Sequence, residues 1–225
     1  MPEFVPADER TRRVVEAVSG GKLPSVARVS EVTLWGVRVV LVYRLDEAEH
    51  ARRDALNAEP LNDLWLLETL LKLPVGRPVP LANLEGRDRR RLSKGWPAGT
   101  AEQRGDMVER VATLPLWVDL AVVCSETASL EALHVMPFGA YAPQAIWLDC
   151  LSAGSEQLLE EAARFSTGVV HWQNAGEPKV LVPVQPLADV TITAAGWRFT
   201  EHAYEQVSGR VGGPGEVSPL RSPTA

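Results

Sequence analysis

Cysteine is nearly absent from this chain: Cys124 and Cys150 are its two thiols in 225 residues, and they form no C-x-x-C pair. That excludes a disulfide framework and a cysteine-built zinc site, and it makes a reducing compartment, the cytoplasm, the expected location. Histidine is equally sparse. His50, His134, His171 and His202 show no H-x-x-H or H-E-x-x-H spacing, so neither a metal nor a cofactor is expected. The glycine signatures that cradle phosphates, G-x-G-x-x-G and G-x-x-x-x-G-K-[ST], are missing, as is the G-x-S-x-G elbow of serine hydrolases. No apolar run approaches the roughly 18 residues that span a bilayer. The start, MPEFVPADERTRR, lacks the basic and apolar regions of a signal peptide, so no membrane partner is expected. An excess of positive charge is lacking too. A formal charge of −6 argues against a surface wholly given to nucleic acid and leaves room for a local basic patch.

Apolar residues make up 45% of the chain, enough for one substantial core or two small ones without staples. Residues 7–18 set Val14, Val15 and Val18 at helical spacing behind Asp8, a plausible cap; Gly20-Gly21 should end this short, peripheral helix. VARVSEVTLW and VRVVLVYRL meet at Gly36 and read as an antiparallel hairpin. A charged helix over 46–57 precedes an apolar one over 61–73, where Leu64, Leu67 and Leu71 recur on one face. The stretch LPVGRPVPLANLEGRDRRRLSKGWPAG then changes the character of the chain, because its prolines interrupt any long helix.

From Leu116 onward strands alternate with amphipathic segments: WVDLAVVC, TASLEALHV, QAIWLDC, GSEQLLEEAARF, TGVVHWQ. That alternation predicts a mixed α/β fold with a central, largely parallel sheet flanked by helices. In the helix over 155–165, Leu158, Ala162 and Phe165 should face inward. KVLVPV reads as an edge strand because of Pro183, and VTIT as a further strand before the last helix, AAGWRFTEHAYEQV. The expected organisation is a hairpin and helical unit over 1–112, an α/β domain over 113–207, and a disordered tail over 208–225.

Two places carry chemistry. Cys124-Ser125-Glu126 ends the first α/β strand, where open sheets hold ligands, and Asp149 and His171 could face the same crevice. Cys124 is equally a small buried apolar group, and Asp149 equally a helix cap. The second place is basic: Arg87, Arg89, Arg90, Arg91 and Lys94, with Arg77 upstream and Trp96 beside them. Clustered arginine next to an aromatic suits phosphate or base contact, and it suits an acidic protein partner as well. Trp65, Trp117, Trp147, Trp172 and Trp197 fall in apolar periodic segments and read as core, whereas Trp35 and Trp96 stand beside glycines in expected turns and read as exposed.

The stretch from Trp117 to Pro186, with AYAPQAIWLDC, LLEEAARFSTGVVHW and KVLVPVQP in that order, resembles the second half of PD-(D/E)XK, or restriction-endonuclease-like, domains. The resemblance implies an acidic residue, a spacer and a lysine on the strand LAVVCSE, where they would hold a divalent metal. Val123, Cys124 and Ser125 stand there instead, and the nearby triplet Glu177-Pro178-Lys179 reads as a hairpin turn. Residues 46–112 are similar to a helix-turn-helix or winged-helix module. Together these likenesses imply a nuclease relative that has kept a nucleic-acid-facing scaffold without its chemistry. The leading expectation is a non-catalytic binding or assembly protein that recruits a nucleic acid or a protein through residues 77–96. One alternative is a divergent magnesium-dependent nuclease using Asp119, Glu126 or Asp149. Another is a structural subunit that pairs through the hairpin edge of 26–44, and the oligomeric state stays open.

Overall fold

The computed structural model describes residues 8–92, 95–127, 137–151, 155–173, 176–187 and 191–209. The first helix, α1 (Glu9–Ser19), forms where its caps place it: the Asp8 carboxylate accepts the Thr11 backbone N–H at 2.7 Å, and Gly20 closes the helix at a φ of 61°. It is not peripheral. Val14, Val15 and Val18 are buried against a sheet.

That sheet is built from β1 (Arg28–Leu34), β2 (Val37–Leu45), β6 (Leu116–Thr127), β7 (Gln144–Cys150), β8 (Gly168–Trp172) and β9 (Pro178–Val182), adjacent in that order. The fold is mixed α/β, but the sheet is less parallel than the alternation predicts. β6, β7 and β8 run parallel, and the other three pairings are antiparallel. The hairpin that the sequence groups with the first 112 residues lies in this same sheet: β2 pairs with β6 from Val39↔Val123 to Leu45↔Leu116. The reason is visible in β2 itself, where Val39 through Tyr43 are all fully buried; a strand apolar on both faces belongs in the interior of a sheet.

Side chains alternate between two layers. Leu41, Tyr43, Ala121, Val123, Ile146 and Leu148 face α5 (Ser155–Arg164) and α6 (Ala194–Ser208). Val40, Val42, Leu120, Val122, Trp147 and Val170 face α1. β9 is an edge strand, as expected from Pro183. Phe165, expected inward, lies past the end of α5 and is 59% exposed. Residues 191–193 form no strand; instead Thr193 caps α6, accepting the Gly196 N–H at 3.0 Å. The segment TASLEALHV lies almost wholly outside the described residues, and so does the tail expected over 208–225, except that Ser208 ends α6 and Gly209 caps it.

Between β2 and β6 the chain builds α2 (Glu47–Leu56), α3 (Leu64–Leu71) and α4 (Gly86–Leu92), together with a small antiparallel sheet, β3 (Val79–Pro80), β5 (Met107–Arg110) and β4 (Ala101–Arg104). Leu61, Leu67 and Leu70 pack against Trp197 of α6, and Leu73, Leu84, Leu92 and Val108 form a satellite core. Trp65 and Trp117, expected in the core, are 46% and 40% exposed. Trp96 is half-buried between the two satellite clusters, so the exposed tryptophan beside the arginines is Trp65. Among the described residues no helix is long and apolar enough to cross a membrane.

Candidate functional site

The basic segment gains its geometry from α3 and α4. Asp63 caps α3, its carboxylate accepting the backbone N–H groups of Trp65 at 2.8 Å and Leu66 at 3.3 Å. Leu67 and Leu70 then turn into the core, which leaves Trp65, in the first turn, on the outer side. In α4, GRDRRRL, the single acid points inward. Asp88 is 3% exposed and accepts Thr69 Oγ1 at 3.1 Å and Lys72 Nζ at 2.9 Å. Burial works against its charge, but the bonds from Lys72 and Thr69 prevail and hold the carboxyl below its ordinary range. Lys72 also reaches Glu85 at 3.2 Å.

With Asp88 turned in and ion-paired with Lys72, α4 presents Arg87, Arg89 and Arg90 to solvent. The Arg87 guanidinium lies 4.8 Å from the centre of the Trp65 ring, a cation–π distance. Asp63, Trp65, Thr69, Arg87 and Arg90 line a groove of about 610 Å³. Arg77 is exposed in the loop before β3 and is not part of the groove lining. Lys94 and the Arg91 side chain lie outside the described residues. Trp96 faces inward, its indole N–H buried and without a hydrogen-bond partner among the described residues.

The three carboxylates singled out from the sequence do not converge. Asp119 is the extra residue of a bulge, skipped between the pairs Val42↔Leu120 and Tyr43↔Val118. There it grips Arg44 with both oxygens, at 2.9 to 3.1 Å. Seven residues of strand, roughly 23 Å at about 3.3 Å each, separate it from Glu126. Glu126 and Asp149 do meet, at the carboxyl ends of β6 and β7, where they line a pocket of about 250 Å³ with Arg38, Cys124, Ser125 and Trp147. Asp149 is ion-paired with Arg10 of α1, whose guanidinium sits 4.8 Å from the Trp147 ring and 4.9 Å from the Trp172 ring. His171 stands opposite Lys179 on the β8–β9 ladder and does not line the pocket; His134 lies outside the described residues.

A magnesium site drawn from Asp119, Glu126 and Asp149 therefore does not fit: Asp119 is remote and engaged with Arg44, and Asp149 is engaged with Arg10. Among the described residues no group of three or more His, Cys, Asp or Glu side chains could hold a metal ion. Cys124 is poorly placed as a nucleophile as well. Burial pushes its thiol up, and the bond and charge of Arg38 only partly offset this. Cys150 is exposed. Cys150 is thus expected to react with Ellman's reagent at pH 8 roughly ten times faster than Cys124. Cys150→Ser should remove the fast phase; a fast phase that survives would reverse the assignment.

Cys124, Glu126 and Asp149 are legible in the sequence as sharing one crevice, whereas Arg38 and Arg10 are not. Arg38 follows the turn at Gly36, and its place beside Cys124 depends on the β2–β6 register, which no local pattern encodes. Comparison with family models, with curated proteins and with solved structures finds no match to this chain.

Proposed function

We propose that this chain is a non-catalytic binding or assembly protein that takes a polyanionic partner through the arginine face of α3 and α4. The observation that carries this reading is the inward turn of Asp88: on a chain of charge −6, the one acid within α4 is withdrawn and three arginines are left outside. An exposed guanidinium is weakly hydrated and forks onto phosphate or carboxylate oxygens, so a cluster of three is a receptor for an extended anion rather than a point contact.

The reading is tested by the salt dependence of binding. Each phosphate neutralised by an arginine contributes about −0.9 to the slope of log K against log salt on duplex, and about −0.7 on a single strand. Replacing Arg87, Arg89 and Arg90 with Gln is expected to flatten that slope by about 2 to 3, and to weaken binding at low salt, if each arginine meets one phosphate. The melting temperature should hold, since the three side chains are exposed. Unchanged affinity and slope in the triple variant would end the proposal.

A second reading, assembly by strand addition, rests on β1, which closes one end of the six-stranded sheet and whose outer edge is unpaired among the described residues. Light scattering on the full chain separates the two. A defined oligomer broken by a proline at Val32 favours assembly, and a monomer favours the arginine face.

A further inference from the structure

The groove beside α4 combines charge with an aromatic plane, and the pair narrows the class of partner. Trp65 is 46% exposed, and the Arg87 guanidinium lies over its ring, 4.8 Å from the centre, adding a second flat group that is cationic. Arg90, one turn further along α4, lines the same groove. The exposed part of the indole and the guanidinium beside it both face the groove, where they can meet whatever enters it. A duplex cannot exploit that surface, because its base faces are stacked on each other and its outside offers phosphates and groove edges. An acidic polypeptide would match the arginines but has few flat faces to lay against an indole. A single strand offers both, base planes for the ring and phosphates for the guanidiniums.

We infer that the polyanion is a single-stranded nucleic acid, one base of which stacks at Trp65 and Arg87 while its flanking phosphates lie on Arg89 and Arg90. The inference rests on the arginine-face reading and adds the stacking platform to it.

The experiment is a fluorescence-anisotropy titration of the full chain at several salt concentrations. Its probes are labelled twelve-nucleotide oligothymidylate, the same backbone with abasic sites, a twelve-base-pair duplex, and polyglutamate. The wild type should prefer oligothymidylate to duplex and to the abasic strand. Trp65→Leu should lose roughly five- to hundredfold on oligothymidylate, the range for one stacked base, with no change of salt slope and no loss on the abasic strand. Trp65→Phe should recover part of the loss, and the melting temperature of each variant, close to that of the wild type, shows that the fold is intact.

If Trp65→Leu binds oligothymidylate as the wild type does while the triple arginine variant fails, stacking is overturned and the arginine face stands. Arginine-dependent binding of polyglutamate without binding of either nucleic acid overturns the single-strand inference in favour of an acidic protein. No arginine-dependent binding of any probe overturns both.

Discussion

Glu201→Ala is expected to lower the melting temperature by roughly 6 to 20 °C, from a loss of about 3 to 5 kcal/mol at about 2 to 4 °C per kcal/mol for a chain of this size. Glu201 is fully buried in α6 and holds four donors: Arg53 Nη1 at 2.6 Å, Arg53 Nη2 at 2.8 Å, Trp197 Nε1 at 2.8 Å and the Leu61 backbone N–H at 3.1 Å. Arg53, 2% exposed, also donates to Glu49 at 2.7 Å. Burial opposes the guanidinium charge, but Glu201 and Glu49 overcome it and hold that group above its ordinary range.

Truncating Glu201 leaves half of a buried charge pair, an indole N–H and a backbone N–H without acceptors, and uncompensated buried groups are among the largest single-site losses known. Because Glu201 reaches both α2, through Arg53, and the entry to α3, through Leu61, the same substitution should speed hydrogen exchange over residues 61–71, under the arginine face. Pairing it with Arg53→Met should cost less than the two single losses combined, since the residues share one network. Circular dichroism melts decide this; a fall of less than about 3 °C for Glu201→Ala would show that the network contributes little.

Legibility from sequence followed the range of the interaction. The α1 caps at Asp8 and Gly20, the hairpin turn at Gly36 and the edge position of β9 are written within a few residues, and each is found where local chemistry places it. Val39 to Tyr43 also announced a strand, but a hairpin was the nearest partner in sequence, and its pairing with β6 closes across more than seventy residues. The candidate sites divide in the same way. Arg87, Arg89 and Arg90 were visible as a run, whereas the inward turn of Asp88 depends on Lys72 and Thr69, one helix away. Trp96 and Trp65 stand opposite to their expected places because a glycine neighbour does not by itself expose a side chain. The satellite core of Leu73, Leu84, Leu92 and Val108 draws Trp96 in, while α3 spends its buried face on Leu67 and Leu70. Arg53 and Glu201 are 148 residues apart, and nothing near either marks it as buried.

Gly168→Ala carries the second large expected effect, and its cause is packing rather than backbone conformation. Gly168 opens β8 opposite Ala145 of β7. A Cβ there would come 2.4 Å from Val184 Cγ2 and 3.2 Å from both the Ala145 Cβ and the Val184 backbone nitrogen. The first contact is shorter than atoms tolerate, and the other two limit the escape, because one is a neighbouring strand and the other is main chain. Either the segment after β9 moves off the sheet or β8 parts from β7. Forcing one methyl into a packed site costs about 1 to 3 kcal/mol, so a fall of roughly 2 to 12 °C in melting temperature is expected. Val184→Ala removes the nearest obstacle, and combining it with Gly168→Ala should recover part of the loss beyond additivity, as contacting residues do. Binding through the arginine face should be unaffected at temperatures where the variant is folded, since Gly168 belongs to the large sheet and not to the α3–α4 unit. A Gly168→Ala chain that melts with the wild type would mean that the Val184 segment yields freely, and that β8 needs no glycine to sit beside β7.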